Sequence, residues 1–134
     1  MSCIKRCSFL FNALLFVVLF GVASMAFSAA PECRTLAEGN YCVYEGKVRS
    51  LYVRANGLIL IYFDAAFDPA IATNVGFNVS TGNATAFLIA DAPDFGKLLY
   101  STALAAQSTG RNIKLQMRGT VSGYLKIDRI WLDE

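Results

Sequence analysis

A β-hairpin over Gly46–Phe63 is the first element that the pattern of apolar and polar positions predicts. We expect Tyr41–Tyr44 to lead into its first strand, and Gly57 in the turn "ANG" can adopt the positive φ that a tight hairpin requires. The second run, Leu58–Phe63, is continuously apolar. A run of this kind is typical of a strand that is buried on both faces.

The segment Asp64–Phe95 has a less regular pattern. Pro69 excludes a central strand around it, because proline cannot donate to the hydrogen-bond ladder of a sheet. Farther along, "VGFNVS" (Val75–Ser80) and "ATAFLIA" (Ala84–Ala90) flank the turn Thr81–Asn83. These two runs predict two further short strands.

A helix is predicted from about Pro93 to Ser108. Pro93 suits a first helical turn, and Asp94 adds a negative charge that the helix dipole favours there. Gly110 is a good terminator. Apolar and polar positions then alternate over Asn112–Leu132, with a turn at "TVSG", which predicts a second hairpin.

The predicted fold class is therefore mainly β with one helix (β + α), in the order strands, helix, strands. A compact antiparallel sheet of five or six strands with a helix across it indicates a small closed or half-closed barrel. The OB-fold is the best-known arrangement of this kind. We expect a small, OB-fold-like antiparallel barrel.

The predicted helix is apolar on two sides. At 100° per residue, one stripe that should cover the barrel contains Phe95, Leu98, Leu99, Thr102, Ala105, Ala106 and Thr109. Tyr100 and Leu104 fall on the opposite side, and Lys97 is the only charge between Asp94 and Arg111. One hypothesis is that Tyr100 and Leu104 form an interface with another copy of the chain. The alternatives are that they lie under a loop of the same chain or are simply exposed.

The first 28 residues have the layout of a secretory signal peptide. Lys5 and Arg6 precede an uncharged apolar run, Phe9–Phe27, which small residues follow. We expect residues 1–28 to be a cleaved signal peptide and residues 29–134 to form a single OB-fold-like domain. The predicted location is secreted or periplasmic, and an uncleaved membrane anchor is the minor alternative.

Removal of the signal peptide changes the charge. It takes two of the 12 basic residues and none of the 10 acidic ones, so the net charge of +2 becomes zero. A neutral domain without a basic run argues against nucleic-acid binding.

Cys33 and Cys42 are the cysteines of the predicted mature domain. In an exported chain they can form one intramolecular disulfide. Two free thiols or an intermolecular bridge remain the alternatives. The chain contains no histidine, and two cysteines alone are a poor metal-ligand set, so we predict neither a metal site nor a cofactor.

The lack of histidine also excludes the usual nucleophilic triads and the usual general base near neutral pH. The carboxylate pairs Asp64 with Asp68 and Asp91 with Asp94 are interpreted as turn or cap residues. The chain is therefore predicted not to be an enzyme. A carboxylate-dependent glycan hydrolase is the catalytic alternative.

A binding module needs aromatic faces and a few hydrogen-bonding groups. Most of the tyrosines of so small a domain are expected in its core or barrel wall. Tyr44, Glu45 and Arg49, near the first strand, are the residues that we predict to bind a glycan.

Two segments resemble a known family. "YEGKVRSLYVRANG" (Tyr44–Gly57) and "LLYSTALAAQSTGRNIKLQMRG" (Leu98–Gly119) are similar to the first hairpin strand and to the helix and following strand of the binding subunits of subtilase-cytotoxin-type bacterial toxins. The resemblance implies an OB-fold, a homo-pentameric ring, recognition of cell-surface glycans and a separate catalytic chain as partner. The alternative is a small exported structural or inhibitory protein of the same fold without a sugar site.

Overall fold

The computed structural model describes residues 29–133, and the predicted signal peptide, 1–28, lies outside these described residues. The strands are β1 (Ala29–Leu36), β2 (Gly39–Val53), β3 (Leu58–Phe63), β4 (Ala84–Leu88), β5 (Asn112–Val121) and β6 (Tyr124–Leu132). The helices are α1 (Pro69–Asn74) and α2 (Pro93–Thr109), with one 3₁₀ turn at Ile89–Asp91. Within this described part, no helix is long and apolar enough to cross a bilayer.

The six strands form one sheet in the order β1-β2-β3-β4-β6-β5, and β2 also pairs with β5. The pairings therefore pass around a ring of five strands, β2, β3, β4, β6 and β5, while β1 lies outside the ring on β2. This mainly β fold with one long helix confirms the predicted β + α class and its order of strands, helix, strands.

The sheet is mixed, so the prediction of a wholly antiparallel sheet is wrong at one pair of strands. β4 and β6 run parallel and are joined at Thr85↔Leu125 and Ala86↔Lys126. Parallel neighbours need a long crossover. Here α2 and β5 provide it, because the chain leaves β4 through α2 and returns along β6 only after β5.

The core fills the inside of the ring because alternate residues of each strand point inward. The buried residues of β2, β5 and β6 include Cys42, Tyr44, Val48, Ile113, Leu115, Met117, Leu125 and Ile127. The residues between them in sequence point outward and are partly or fully exposed, such as Glu45 and Lys114.

β3 is buried on both faces, as its continuous apolar run predicts. Ile59, Ile61 and Phe63 belong to the main core. Leu58 and Leu60 point to the other side and form a second buried cluster with Ala86 of β4. Val121 and Tyr124, from the end of the β5–β6 hairpin, pack against this cluster and cover it.

The region around Val75–Ser80 differs from the prediction of a strand. The chain forms the short helix α1, whose first turn is capped by the Asp68 carboxylate accepting from the Ala70 N–H at 2.9 Å. The backbone N–H of Phe77 then donates to the carbonyl of Ala72 at 3.0 Å instead of to a neighbouring strand. Val79 is buried against the core. The apolar alternation therefore comes from a loop that packs inward and not from a strand.

Helix α2 ends at Gly110, in the left-handed conformation, as predicted. Its buried residues are Gly96, Leu99, Ala103 and Ala106. The buried face of the helix is therefore rotated from the predicted stripe. It contains more small residues, and Leu98, which the stripe included, is exposed. The reason is close packing, since a Cβ on Gly96 would lie 3.3 Å from Ile89 Cγ1. Small side chains allow the helix to approach the sheet, and of its larger apolar residues Leu99 is buried whereas Leu98, Tyr100 and Leu104 are exposed.

Cys33 and Cys42 form the predicted disulfide. They face each other as a registered pair between β1 and β2. The bridge therefore fastens the strand outside the ring to the longest strand of the ring. A disulfide is compatible with a secreted or periplasmic protein.

Candidate functional site

The main candidate site is a groove of about 410 Å³ on the outside of β1, β2, β5 and β6. We call it the outer groove. It is lined by Ala30, Glu32 and Arg34 of β1, by Tyr41, Val43 and Glu45 of β2, by Lys114 and Gln116 of β5, and by Trp131 of β6. These side chains combine two aromatic rings with charged and amide groups on neighbouring strands, so the groove offers both ring faces and hydrogen-bonding groups.

The outer groove follows directly from the strand period. Because Cys42 and Tyr44 are buried in β2, the alternate residues Tyr41, Val43 and Glu45 point outward. The same holds on β5, where Lys114 and Gln116 alternate with buried neighbours. Pairing of β2 with β5 then brings these outward residues together.

Strand register arranges the lining residues in rows. One row crosses three strands, since Glu45 is paired with Lys114 and Lys114 with Trp131. A second row places Val43 opposite Gln116. Rows on one face of a sheet are separated by two residues, about 7 Å. The groove therefore offers an indole, an amine, a carboxylate and an amide within the span of a small saccharide.

Trp131 gives the outer groove its exposed aromatic surface. Its side chain is 41% exposed. The chain end beyond it is held in place, because the Asp133 N–H donates to the Asn112 carbonyl at 3.0 Å and Arg111 Nε donates to the Asp133 carbonyl at 3.0 Å. The end of the strand that carries the indole is thus anchored at the start of β5.

The β1 side of the outer groove carries an ion pair. Arg34 donates a hydrogen bond to Glu32 at 3.0 Å. This hydrogen bond and the charge of the Glu32 carboxylate raise the pKa of the Arg34 guanidinium, which therefore stays cationic. Cys33 lies between these two residues, so the disulfide holds their strand against β2.

The residues predicted to bind a glycan are not brought together. Glu45 lies in the outer groove, but Tyr44 is only 1% exposed. The Tyr44 hydroxyl donates to the Asp64 carboxylate and lies 2.7 Å from the Lys47 carbonyl oxygen, so its ring belongs to the core. Arg49 lies outside the groove lining, with its guanidinium 5.8 Å from the centre of the Tyr62 ring.

Sequence reasoning missed most of the outer groove, including Trp131, Tyr41 and Gln116. The alternation of apolar and polar residues on β5 does predict that Lys114 and Gln116 lie on the outer face. The missing information was the pairing of β2 with β5, strands that are far apart in the chain.

The outer face of α2 is the second surface of interest. Leu98 is 66% exposed, Leu104 44% and Tyr100 37%. Tyr100 borders an apolar pocket of about 370 Å³ that Val53 and Ile89 also line. Its ring is therefore partly covered by its own chain, whereas Leu104 is not part of that lining. The predicted interface of Tyr100 and Leu104 stays a prediction.

The carboxylate pairs considered for catalysis have structural partners. Asp68 caps α1, and Asp64 accepts the hydrogen bond from Tyr44. Asp91 pairs with Lys126, and Asp94 pairs with Lys97 at 3.3 Å. No group of three acidic, cysteine or histidine residues within 29–133 could hold a metal ion.

A comparison with known proteins finds no family, no curated protein and no solved structure that matches this chain. The resemblance to toxin binding subunits therefore rests on its two sequence segments alone, and the outer groove has to be interpreted from its own geometry.

Proposed function

We propose that this protein is an exported, non-enzymatic binding module that recognises glycans in the outer groove. The observation that carries the proposal is the row Glu45–Lys114–Trp131, which sets an exposed indole beside charged hydrogen-bonding groups. Oligosaccharide binding is a common use of OB-type folds.

The chemistry of a sugar suits this row. A pyranose ring has an apolar face of C–H groups, which can stack on an indole, and a rim of hydroxyls. The carboxylate of Glu45 accepts hydrogen bonds, the ammonium of Lys114 donates them, and the amide of Gln116 does both. Together with Trp131, these groups can hold one sugar ring by its face and its edge.

Two further parts of the proposal are that the protein is exported and that it is not an enzyme. The Cys33–Cys42 disulfide and the predicted signal peptide favour an oxidising compartment. The structural partners of Asp64, Asp68, Asp91 and Asp94 favour a binding role over carboxylate catalysis.

Trp131 provides a direct test, because it is the only tryptophan of the chain. Its fluorescence should change when the mature protein, residues 29–134, is titrated with oligosaccharides identified on a glycan array. Trp131→Ala should abolish array binding, because the stacking surface is lost. Tyr52→Ala is the matched control, since Tyr52 is a 52% exposed aromatic residue that does not line the groove.

Two results would contradict the proposal. One is an array without any binding, which would favour the structural or inhibitory alternative. The other is equal loss of binding in the Trp131→Ala and Tyr52→Ala variants, which would place the ligand elsewhere.

We also propose that copies of the chain associate through the outer face of α2. Support comes from the exposure of Leu98, Tyr100 and Leu104, large apolar side chains where a monomer would carry charge. The family resemblance implies five copies around a ring and a catalytic chain as a further partner.

Light scattering at tens of micromolar protein tests the association. An oligomer that Leu104→Glu converts into a folded monomer is the expected result, because a buried unpaired carboxylate is costly at an interface. Glu38→Gln, a charge change in the β1–β2 turn, serves as the control. A wild-type monomer under these conditions would contradict the proposal.

A further inference from the structure

We infer that the outer groove selects uncharged saccharides over acidic ones such as sialylated or sulfated glycans, an inference that rests on the proposed function. The basis is the charge balance of the lining. Two cations, Arg34 and Lys114, and two carboxylates, Glu32 and Glu45, line the groove, so their formal charges cancel.

Each cation of the lining is also next to a carboxylate. Arg34 lies 3.0 Å from Glu32, and Lys114 Nζ lies 3.8 Å from Glu45 Oε2. The pairs sit on opposite sides of the groove, because Glu32 and Arg34 belong to β1 whereas Glu45 and Lys114 join β2 to β5. No part of the lining therefore has a cation without a nearby carboxylate.

Two further cations, Arg118 of β5 and Arg129 of β6, do not line the groove. Arg118 and Arg129 both approach the Asp128 carboxylate, at 3.8 and 3.5 Å. The Arg118 guanidinium also lies 5.9 Å from the centre of the Tyr41 ring. Arg118 therefore lies at the Tyr41 edge of the groove, where the Asp128 carboxylate balances its charge.

An acidic sugar would be recognised poorly by this arrangement. Specific carboxylate and sulfate sites use a cation that is free to make charge-assisted, often bidentate, hydrogen bonds. In the outer groove an acidic group that approaches Lys114 or Arg34 also comes near the carboxylate of Glu45 or Glu32, which repels it. A neutral sugar meets no such penalty, and the same carboxylates accept hydrogen bonds from its hydroxyls.

The test uses matched pairs of oligosaccharides, each a neutral glycan and its sialylated or sulfated form, titrated against the fluorescence of Trp131. The neutral member should bind at least about tenfold more tightly, because like charges placed together in a site are unfavourable. Raising NaCl from about 0.05 to 0.5 M should change the affinity for the neutral member less than about twofold, since that complex has no ion pair to be screened.

Glu45→Gln sharpens the test because it leaves Lys114 without its carboxylate. The ratio of acidic to neutral affinity should rise severalfold in this variant. Glu38→Gln removes the same charge outside the groove lining and should leave the ratio unchanged. Circular dichroism and the wild-type disulfide content would verify that both variants are folded.

The outcomes separate the two claims. Preference for the acidic members, or an unchanged ratio in Glu45→Gln, would overturn the charge inference while the proposed glycan function stands. Absence of binding to every pair would overturn both.

Discussion

Two parts of the outer surface of the ring differ in burial: one is covered by the chain, and the other is open. On β3 and β4, the outward residues Leu58, Leu60 and Ala86 are apolar and covered by the end of the β5–β6 hairpin. On β2 and β5, the outward residues are polar or mixed and remain open as the outer groove. An outward position in this ring is therefore a surface position only where no other part of the chain folds over it.

Packing explains the difference. At the tip of the β5–β6 hairpin, Val121 and Tyr124 pack on the outer face of β3 and β4. At its other end, β6 carries Trp131 beside Lys114, and β1 lies along β2, so the two strands flank the outer groove. One hairpin thus covers one outer face and helps to form the outer groove on the other.

We expect the largest difference in stability between a substitution on the covered β3–β4 face and one in the open outer groove. Leu60→Ala should lower the free energy of unfolding by about 3 kcal/mol, because it leaves a cavity beneath the hairpin tip. Val43→Ala, in the partly exposed lining of the outer groove, should cost less than about 1 kcal/mol. Urea unfolding followed by circular dichroism measures both. Equal losses would mean that the hairpin does not seal the β3–β4 face.

Removing the disulfide should lower the stability of the domain and should also weaken ligand binding in the outer groove. We expect the double variant Cys33→Ser, Cys42→Ser to lose about 2–3 kcal/mol, the effect of opening a short loop. Glycan affinity should also fall, because β1 supplies Glu32 and Arg34 to the outer groove. Titration of Trp131 fluorescence, with thermal unfolding in parallel, tests this. Unchanged affinity in the folded variant would show that β1 does not contribute to the site.

The smallest effect concerns the ion pair of the outer groove. In a double-mutant cycle of Glu45→Gln and Lys114→Gln, the coupling energy for unfolding should be below about 0.5 kcal/mol, because both side chains are about half exposed and screened by water. The same cycle measured on glycan selectivity should show a clear coupling. A large coupling in stability would indicate a structural role for the pair instead of a role in recognition.

Several elements were predictable from local patterns. The continuous apolar run of β3 predicted burial on both faces, and Gly110 predicted the end of α2. Alternation predicted the strands after the helix, and the cysteine pair predicted the disulfide. The strands and the helix end depend on residues that are close in sequence. The disulfide was predictable because the predicted mature domain has only two cysteines.

Other elements were not predictable, for reasons of packing. The alternation Val75, Phe77, Val79 imitates a strand, yet these residues follow α1 in a loop whose backbone hydrogen bonds go elsewhere. Hydrophobicity places Leu98 in the buried stripe of α2, whereas the helix buries Gly96, where a Cβ would be in tight contact with Ile89. In both cases local packing, and not the apolar period, decided the outcome.

By itself, the sequence determined the strand and helix periods, the turn and helix ends, the neutral charge of the predicted mature domain and the cysteine pair. Only the tertiary structure decided that β2 meets β5, that the hairpin tip covers Leu60, and that Trp131 stands beside Lys114 and Glu45. The physical reason is that local conformation depends on nearby residues, whereas a site assembled across strands depends on how the whole ring closes.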